Sequence, residues 1–204
     1  MNEIVALYKK SSDPAEFAAG YLGYLTRVLA QMDTKSIGKF IEALVDARER
    51  GARVYFIGNG GSASTASHFA NDLGIGTRTW HKPLRAVSLC DNSAVMTALA
   101  NDYGYSEIFI RQLQVQMLPG DVVVAISASG NSQNIVDAVR YANSNGATTV
   151  GLTGFSGGEL GKISNLVVHA PTNVGEYGPA EDVHMILDHL VGAFLLNFCA
   201  VEPD

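Results

Sequence analysis

The chain has 204 residues, a length that suits one domain with a substantial buried core. Hydrophobic residues make up 47% of it and charged residues 17%, a composition that excludes a disordered protein. The formal net charge is −6 without a cluster of Lys or Arg, which argues against nucleic acid as a partner, because such binding depends on neutralising phosphates.

The first 50 residues predict two helices. Ser12, Asp13 and Pro14 mark the start of the first helix, and Gly51 marks the end of the second. Apolar and aromatic side chains recur at spacings of three and four in both: Phe17, Tyr21, Tyr24, Leu25 and Val28, then Ile37, Phe40, Ile41, Leu44 and Val45. This content makes 1–50 a candidate oligomerisation segment ahead of a core at 51–204, within the single domain 1–204.

From residue 53 short β-rich runs alternate with stretches that are long enough for helices. The predicted strands are Val54–Ile57, Arg85–Leu89, Val122–Ser127, Thr148–Thr153 and Leu166–His169. The predicted helices are Ala63–Leu73, Ser93–Ala100, Glu107–Met117, Ile135–Asn145 and Ala180–Cys199, with a short one opened by Gly154–Gly161. This alternation predicts an α/β fold with a parallel sheet that helices cover on both faces.

The sequence also bears on location. The N-terminus MNEIVALYKK lacks the charged-then-apolar order of a signal peptide, and no apolar run approaches about 18 residues, so we expect no membrane span. Cys90 and Cys199 lack metal-type spacing and are interpreted as buried thiols in a reducing compartment. We therefore expect a cytoplasmic protein without a membrane partner.

Two loops at strand ends are rich in Gly, Ser and Asn. The loop 58–62, GNGGS, follows the first strand, and the loop 127–132, SASGNS, follows the third; each precedes a helix. Hydroxyls and the free N–H groups of a helix N-terminus can hold an anion without Lys or Arg. Alternatively, these residues only form turns and caps. Neither loop matches the Walker or G-x-G-x-x-G patterns, which disfavours nucleotides.

Acidic residues and histidines in two helices supply candidates for chemistry. His68 and Asp72 are four apart and share one helix face, where they could bind a divalent metal, move a proton, or form a solvated surface pair. Glu181 and His189 lie eight residues apart, about 12 Å along an unbroken helix. They could share one metal only if Glu181 lies in an irregular first turn or if two subunits contribute. His184 and Asp188 either support these residues or face solvent, while Val183, Ile186, Leu187 and Leu190 are expected to pack inward.

Four segments together resemble the sugar isomerase (SIS) domain family, and in particular its phosphoheptose isomerases. They are GNGGSASTASHFANDL, ISASGNS, LTGFSGGELGKISN and EDVHMILDH, which occur in the family's order, and the resemblance spans about residues 1–200. It implies a three-layer αβα sandwich with a five-stranded parallel, flavodoxin-like sheet. It further implies a homotetramer with sites between subunits, one zinc ion per site, and interconversion of a ketose and an aldose 7-phosphate.

The resemblance also implies site residues, position by position. The substrate contacts fall on Asn59, Gly60, Gly61, Asp72, Asn101, Asp102, Ser127, Ala128, Ser129, Ser132 and Glu181. The metal ligands fall on His68, Asp72, Glu181 and His189, and the catalytic pair on Asp72 and His189. Three positions depart from the family pattern: Ala128 replaces a frequent Thr, Asp72 a Glu, and Glu181 a Gln.

The resulting hypothesis is an isomerase that converts sedoheptulose 7-phosphate to a D-glycero-heptopyranose 7-phosphate through an enediol, for heptose biosynthesis. One alternative is an isomerase of another sugar phosphate, because Asp72 and Glu181 both fall beside the substrate. Another is a regulatory SIS-domain protein that binds a phosphosugar or a replication initiator without catalysis. Such a relative has lost the acidic and His positions that this chain keeps at Asp72 and His189.

Overall fold

A computed structural model describes residues 2–200. Its helices are α1 Glu3–Lys10, α2 Pro14–Ala30, α3 Thr34–Arg50, α4 Gly61–Asn71, α5 Ser93–Tyr103, α6 Ile110–Gln116, α7 Gln133–Ser144, α8 Leu160–Ile163 and α9 Tyr177–Ala200. Its strands are β1 Arg53–Gly58, β2 Arg85–Ser88, β3 Val122–Ser127, β4 Thr148–Thr153 and β5 Leu166–His169. The strands from the sequence analysis are confirmed, three of them to the residue.

The strands form one parallel sheet in the order β2-β1-β3-β4-β5. Alternate side chains of each strand enter two separate hydrophobic clusters, as the period of two requires. Phe56 and Val124 pack with α3, α4 and α9 on one face, whereas Tyr55 and Val123 pack with α6 and α7 on the other. The expected three-layer αβα sandwich with a five-stranded, flavodoxin-like sheet is confirmed.

The N-terminal region differs from the expectation of two helices. An additional helix, α1, precedes them, with Asn2 as its N-cap; its side chain accepts a hydrogen bond from the Val5 N–H. The sequence analysis missed α1 because it has only eight residues, of which Ile4 and Leu7 are partly buried against the core, too few for its periodicity to stand out. The other two helices are confirmed: the Asp13 side chain caps α2 and Gly51 ends α3 in a left-handed conformation.

The N-terminal helices are joined to the core in two ways. In α3, Phe40 and Leu44 are fully buried against the sheet, so this helix is part of one covering layer. In α2, the Tyr21 hydroxyl donates to the Asp182 carboxylate of α9 at 2.5 Å, and the Tyr24 hydroxyl donates to Glu176 just before α9. The role of 1–50 in oligomerisation stays a prediction.

Helix α9 bears on the expectation that the chain has no membrane span. By length and composition it could cross a membrane: its 18-residue window has a mean hydropathy of 1.5, and 39% of that window is buried. The search for an uninterrupted apolar run missed it because His184, Asp188 and His189 interrupt the run. Core helices pass the same test, and the face of α9 that carries Val183 and Leu187 packs within the core of this chain.

Candidate active site

The two Gly- and Ser-rich loops meet at the carboxyl edge of the sheet. Strands β1 and β3 are hydrogen-bonded neighbours, and the chain leaves β1 toward β2 on one side and β3 toward β4 on the other. Such a reversal of strand order opens a crevice in which parallel α/β proteins bind ligands. The loops 58–62 and 127–132 therefore border one crevice, and α4 and α7 begin there.

A cavity of about 240 Å³ occupies this crevice. Its lining includes eight of the eleven predicted substrate contacts: Asn59, Gly60, Gly61, Ser127, Ala128, Ser129, Ser132 and Glu181. Ser62, Ile126 and Tyr177 complete the lining. The structure thus brings together residues that are more than 120 positions apart in sequence.

The Ser-rich loop is tightly folded but keeps donors available. The Gly130 N–H donates to the Ser127 hydroxyl at 3.1 Å, and the Asn131 N–H donates to the Ser129 hydroxyl at 3.3 Å. Ser132 is the N-cap of α7, yet its hydroxyl makes no capping hydrogen bond with the described residues. The Ser132 hydroxyl and the first N–H groups of α7 can therefore donate to an anion in the cavity.

A polar network orients Asn59 in the lining of the cavity. Asn59 and the buried Asn134 exchange two amide hydrogen bonds of 2.9 Å, and the Tyr105 hydroxyl donates to Asn59 Oδ1 at 2.8 Å. The side-chain oxygen of Asn59 thereby accepts two hydrogen bonds, while one proton of its side-chain amide stays available to a ligand. The sequence analysis missed Asn134 and Tyr105; the signal for Asn134 is a polar residue on the buried face of α7.

A second cluster lies where α4 meets α9. Ligand atoms of His68, Asp72, Asp188 and His189 all lie within 4.8 Å of one another. Asp72 Oδ2 is 3.5 Å from His68 Nε2, Asp188 Oδ2 is 3.9 Å from His68 Nδ1, and the rings of His68 and His189 are 5.1 Å apart. Two imidazoles and two carboxylates form a group that could hold a metal ion and is compatible with zinc.

Asp188 is the feature of this cluster that the sequence analysis did not assign. Its side chain is fully buried, and neither carboxylate oxygen has a hydrogen-bond partner among the described residues. Burial, together with the nearby Asp72 carboxylate, raises the pKa of Asp188 to about 7. A buried carboxylate without a partner is unfavourable, so a cation fits here.

Other residues of α9 also differ in burial from what the sequence predicted. His184 is fully buried and its pKa is lowered to about 4 by burial, so neither His184 nor Asp188 faces solvent. Conversely, Ile186 and Leu190 are 37% and 43% exposed, so the expectation that they pack inward is wrong, whereas Val183 and Leu187 are buried as expected. The buried face of α9 therefore includes His184 and Asp188 and excludes Ile186 and Leu190.

The cavity and the cluster lie along one pair of helices. Glu181 approaches Gly61 near the start of both helices, His68 faces Asp188 further along, and Gly192 faces Asp72 beyond that. Each pair differs by 120 positions, so α4 and α9 run side by side in the same direction. At 1.5 Å per residue, the seven residues from Gly61 to His68 correspond to about 10 Å along α4.

Glu181 belongs to the cavity, and the metal-ligating group found among residues 2–200 does not include it. Burial and the neighbouring Asp182 raise the pKa of Glu181. Helix α9 is continuous from Tyr177 to Ala200, which excludes an irregular first turn at Glu181. In this structure Glu181 therefore lies outside the metal-ligating group, and its role as a metal ligand stays a prediction.

Two predicted substrate contacts lie elsewhere in this chain. Asn101 and Asp102 are exposed near the end of α5, where the Asn101 amide donates to the Asp102 carboxylate at 2.8 Å. Neither residue lines the cavity between β1 and β3. Their contact with a substrate stays a prediction.

Comparisons with known proteins match this architecture. The family model of the SIS domain matches residues 16–154 of this sequence. The phosphoheptose isomerase of Geobacter metallireducens is 39% identical over 78% of this chain and 82% of its own length, and that of Aliarcobacter butzleri is 31% identical over 92% and 97%. The structure of the phosphoheptose isomerase from Neisseria gonorrhoeae superimposes with a TM-score of 0.82 at 26% identity, covering 90% of this chain and 98% of that one. The chain therefore belongs to the SIS domain family, in the group of the phosphoheptose isomerases.

Proposed function

We propose that this chain is a phosphosugar isomerase that converts sedoheptulose 7-phosphate to a D-glycero-heptopyranose 7-phosphate and so serves heptose biosynthesis. The observation that carries the proposal is the cavity lined by Ser127, Ser129 and Ser132, next to the helix pair that holds a cluster of two imidazoles and two carboxylates. The phosphoheptose isomerase relatives match this chain over most of its length, which supports the same substrate class.

The phosphate is bound at the Ser-rich loop. Ser127, Ser129 and Ser132 offer hydroxyls, the Ala128 N–H supplies a backbone donor, and the N-terminus of α7 adds a favourable dipole. Asn59, Gly60 and Gly61 also line the cavity, where they contact the polyol chain. Binding the unreactive phosphate end positions the carbonyl end for reaction.

Isomerisation requires movement of protons between two carbons and two oxygens. A base takes one proton from C1 of the ketose while the C2 oxygen gains a proton, which gives the enediol. The hydroxyl proton then leaves the C1 oxygen and another proton is delivered to C2, so the product is an isomer of the substrate. We assign these transfers to Asp72 and His189, which lie in one cluster on α4 and α9.

A zinc ion is the cofactor that we assign to this cluster, one per site. Imidazole nitrogens and carboxylate oxygens are ligands that zinc accepts, and the unpartnered carboxylate of Asp188 fits a cation. When bound, the ion polarises the carbonyl and stabilises developing negative charge on oxygen. Glu181 lines the cavity, where its carboxylate adds negative charge beside the substrate.

We also propose a cytoplasmic homotetramer. Asn101 and Asp102 then complete the site across a subunit boundary, since they do not line the cavity of their own chain. Segment 1–50 supplies part of the interface. The regulatory alternative is less well supported, because a protein that only binds a phosphosugar has no need for a buried carboxylate beside two imidazoles.

The test is turnover of sedoheptulose 7-phosphate by purified protein, with added zinc and with chelator. A positioned general base contributes about 10²–10⁴-fold, so Asp72→Asn and His189→Ala should each lower kcat by at least about 100-fold while the fold is kept. Circular dichroism checks the fold. Near-wild-type rates in both variants would contradict the assignment, and turnover of another sugar phosphate alone would change the substrate.

A further inference from the structure

The two carboxylates of the metal-ligating cluster differ in their surroundings. The side chain of Asp72 is 28% exposed, accepts a hydrogen bond from Asn71 at 2.9 Å and faces His68. Asp188 is 0% exposed, and its oxygens have no hydrogen-bond partner in the described part of the chain. One carboxylate is therefore accessible to a substrate, and the other is not.

The location of Asp188 restricts what can compensate its charge. Its nearest cationic or imidazole group in the structure is His68, at 3.9 Å, which is too long for a hydrogen bond. Asp72 is on the same side and adds negative charge rather than removing it. A divalent cation within the 4.8 Å cluster would compensate both carboxylates at once.

The geometry points to a division of labour between these carboxylates: we propose that Asp188 is a direct metal ligand, and that Asp72 is left free to move the proton. The inference rests on the proposed function. His68, Asp188 and His189 then form a set of two imidazoles and one carboxylate, which leaves a coordination position open. Catalytic metal sites have such three-ligand sets, whereas four protein ligands are typical of closed structural sites.

The assignment also accounts for the shorter side chain at position 72. A carboxylate that both binds a metal and reaches a substrate carbon must contact both at once. Asp does this less well than Glu, whose side chain is one methylene longer. With Asp188 coordinating from α9, Asp72 on α4 has one target. His189 keeps its second ring nitrogen for the oxygens of the sugar.

Cobalt-substituted protein provides the direct test. A cysteine thiolate that coordinates Co²⁺ gives a thiolate-to-cobalt charge-transfer band in the near ultraviolet, and it does so only when sulfur contacts the metal. We expect the band in Asp188→Cys and not in Glu181→Cys, the matched control on the same helix. Absence of the band in Asp188→Cys that retains cobalt overturns direct coordination, and if cobalt is lost the zinc affinity of Asp188→Asn decides. A band in Glu181→Cys alone transfers the ligand role to Glu181.

Zinc affinity gives a second measurement that does not depend on turnover or on a cysteine variant. Asp188→Asn should lower zinc affinity by at least about 10–100-fold, whereas Asp72→Asn should lower it by less than about tenfold. The reverse order overturns the division of labour. If the protein isomerises no sugar phosphate but both metal results hold, the proposed function fails and the ligand assignment stands.

Discussion

At the scale of single residues, Gly130 determines the shape of the Ser-rich loop. It has a φ of +65°, a conformation that L side chains rarely adopt. A Cβ at this position would lie 2.0 Å from the Gly157 carbonyl oxygen, which belongs to the turn behind the loop. The atoms that this Cβ would contact belong to the backbone of Gly157 and Gly158, so no side chain can move aside to make room.

The first prediction concerns Gly130→Ala. The loop must shift away from Gly157, so we expect the affinity for a phosphosugar to fall by at least about tenfold and the free energy of unfolding to fall by about 1–3 kcal/mol. Calorimetry with the sugar phosphate and urea unfolding measure the two effects.

Gly161→Ala is the control for this substitution. Gly161 lies in α8, and a Cβ there meets nothing within 4 Å. Alanine favours a helix, so its binding and stability should stay within error of the wild type. Equal binding losses in the two variants would show that the contact of Gly130 with Gly157 does not shape the anion site.

At the scale of elements, the parallel packing of α4 and α9 decides which residues can act together. Each turn of α4 faces the corresponding turn of α9, with Gly61 at Glu181 and His68 at Asp188. Leu187 lies next to Asp188 on the buried side of α9 and joins the cluster that contains Phe69 and Leu73. Packing of this apolar stripe therefore holds the metal ligands in register.

The second prediction tests that packing. Leu187→Ala should lower the free energy of unfolding by about 2–5 kcal/mol, because it leaves a cavity in the core. Zinc affinity should fall with it, since the register of α9 against α4 loosens. Equilibrium unfolding and metal titration measure both.

Leu190→Ala on the same helix is the matched comparison. Leu190 is 43% exposed, so within a single chain the change should stay within about 0.5 kcal/mol. A larger loss that increases on dilution would place Leu190 in a subunit interface. An effect of Leu187→Ala below about 1 kcal/mol would contradict the packing argument.

At the scale of the whole molecule, the sheet order places the anion site and the metal-ligating cluster on a shared scaffold. The reversal between β1 and β3 opens the cavity, and α9 returns from the far edge strand β5 to pack beside α4. Exposed apolar side chains then form a row on the outer face of α9, at Ile186, Leu190 and Phe194. This row is the surface that we expect the homotetramer to cover, because large exposed apolar patches are unusual on isolated chains.

The third prediction concerns removal of the metal from the intact protein. A ligand at 100 times its Kd stabilises the folded state by about 2.7 kcal/mol, and 1 kcal/mol corresponds to roughly 2–4 °C in Tm for a chain of this size. Zinc should therefore raise the Tm of chelator-treated protein by roughly 5–10 °C. Differential scanning calorimetry measures this, and an unchanged Tm in saturating zinc would contradict a metal site in the folded protein.

Much of this fold could be predicted because its signals are local. Strands such as Val122–Ser127 show as buried β-rich runs, and Asp13 and Gly51 mark helix ends by their own side chain or conformation. Helix α1 was missed because its eight residues span only about two turns, and only Ile4 and Leu7 pack against the core.

For the candidate site, the sequence by itself determined which loops can hold an anion and which side chains can bind a metal or move a proton. Loop composition and the spacing of His68 and Asp72 are properties of neighbouring residues. Only the tertiary structure decided that Asp188 joins His68 and that Glu181 lies with Gly61 in the cavity. The rotation and register of α9 against α4 follow from the summed packing of distant apolar residues, which no local pattern contains.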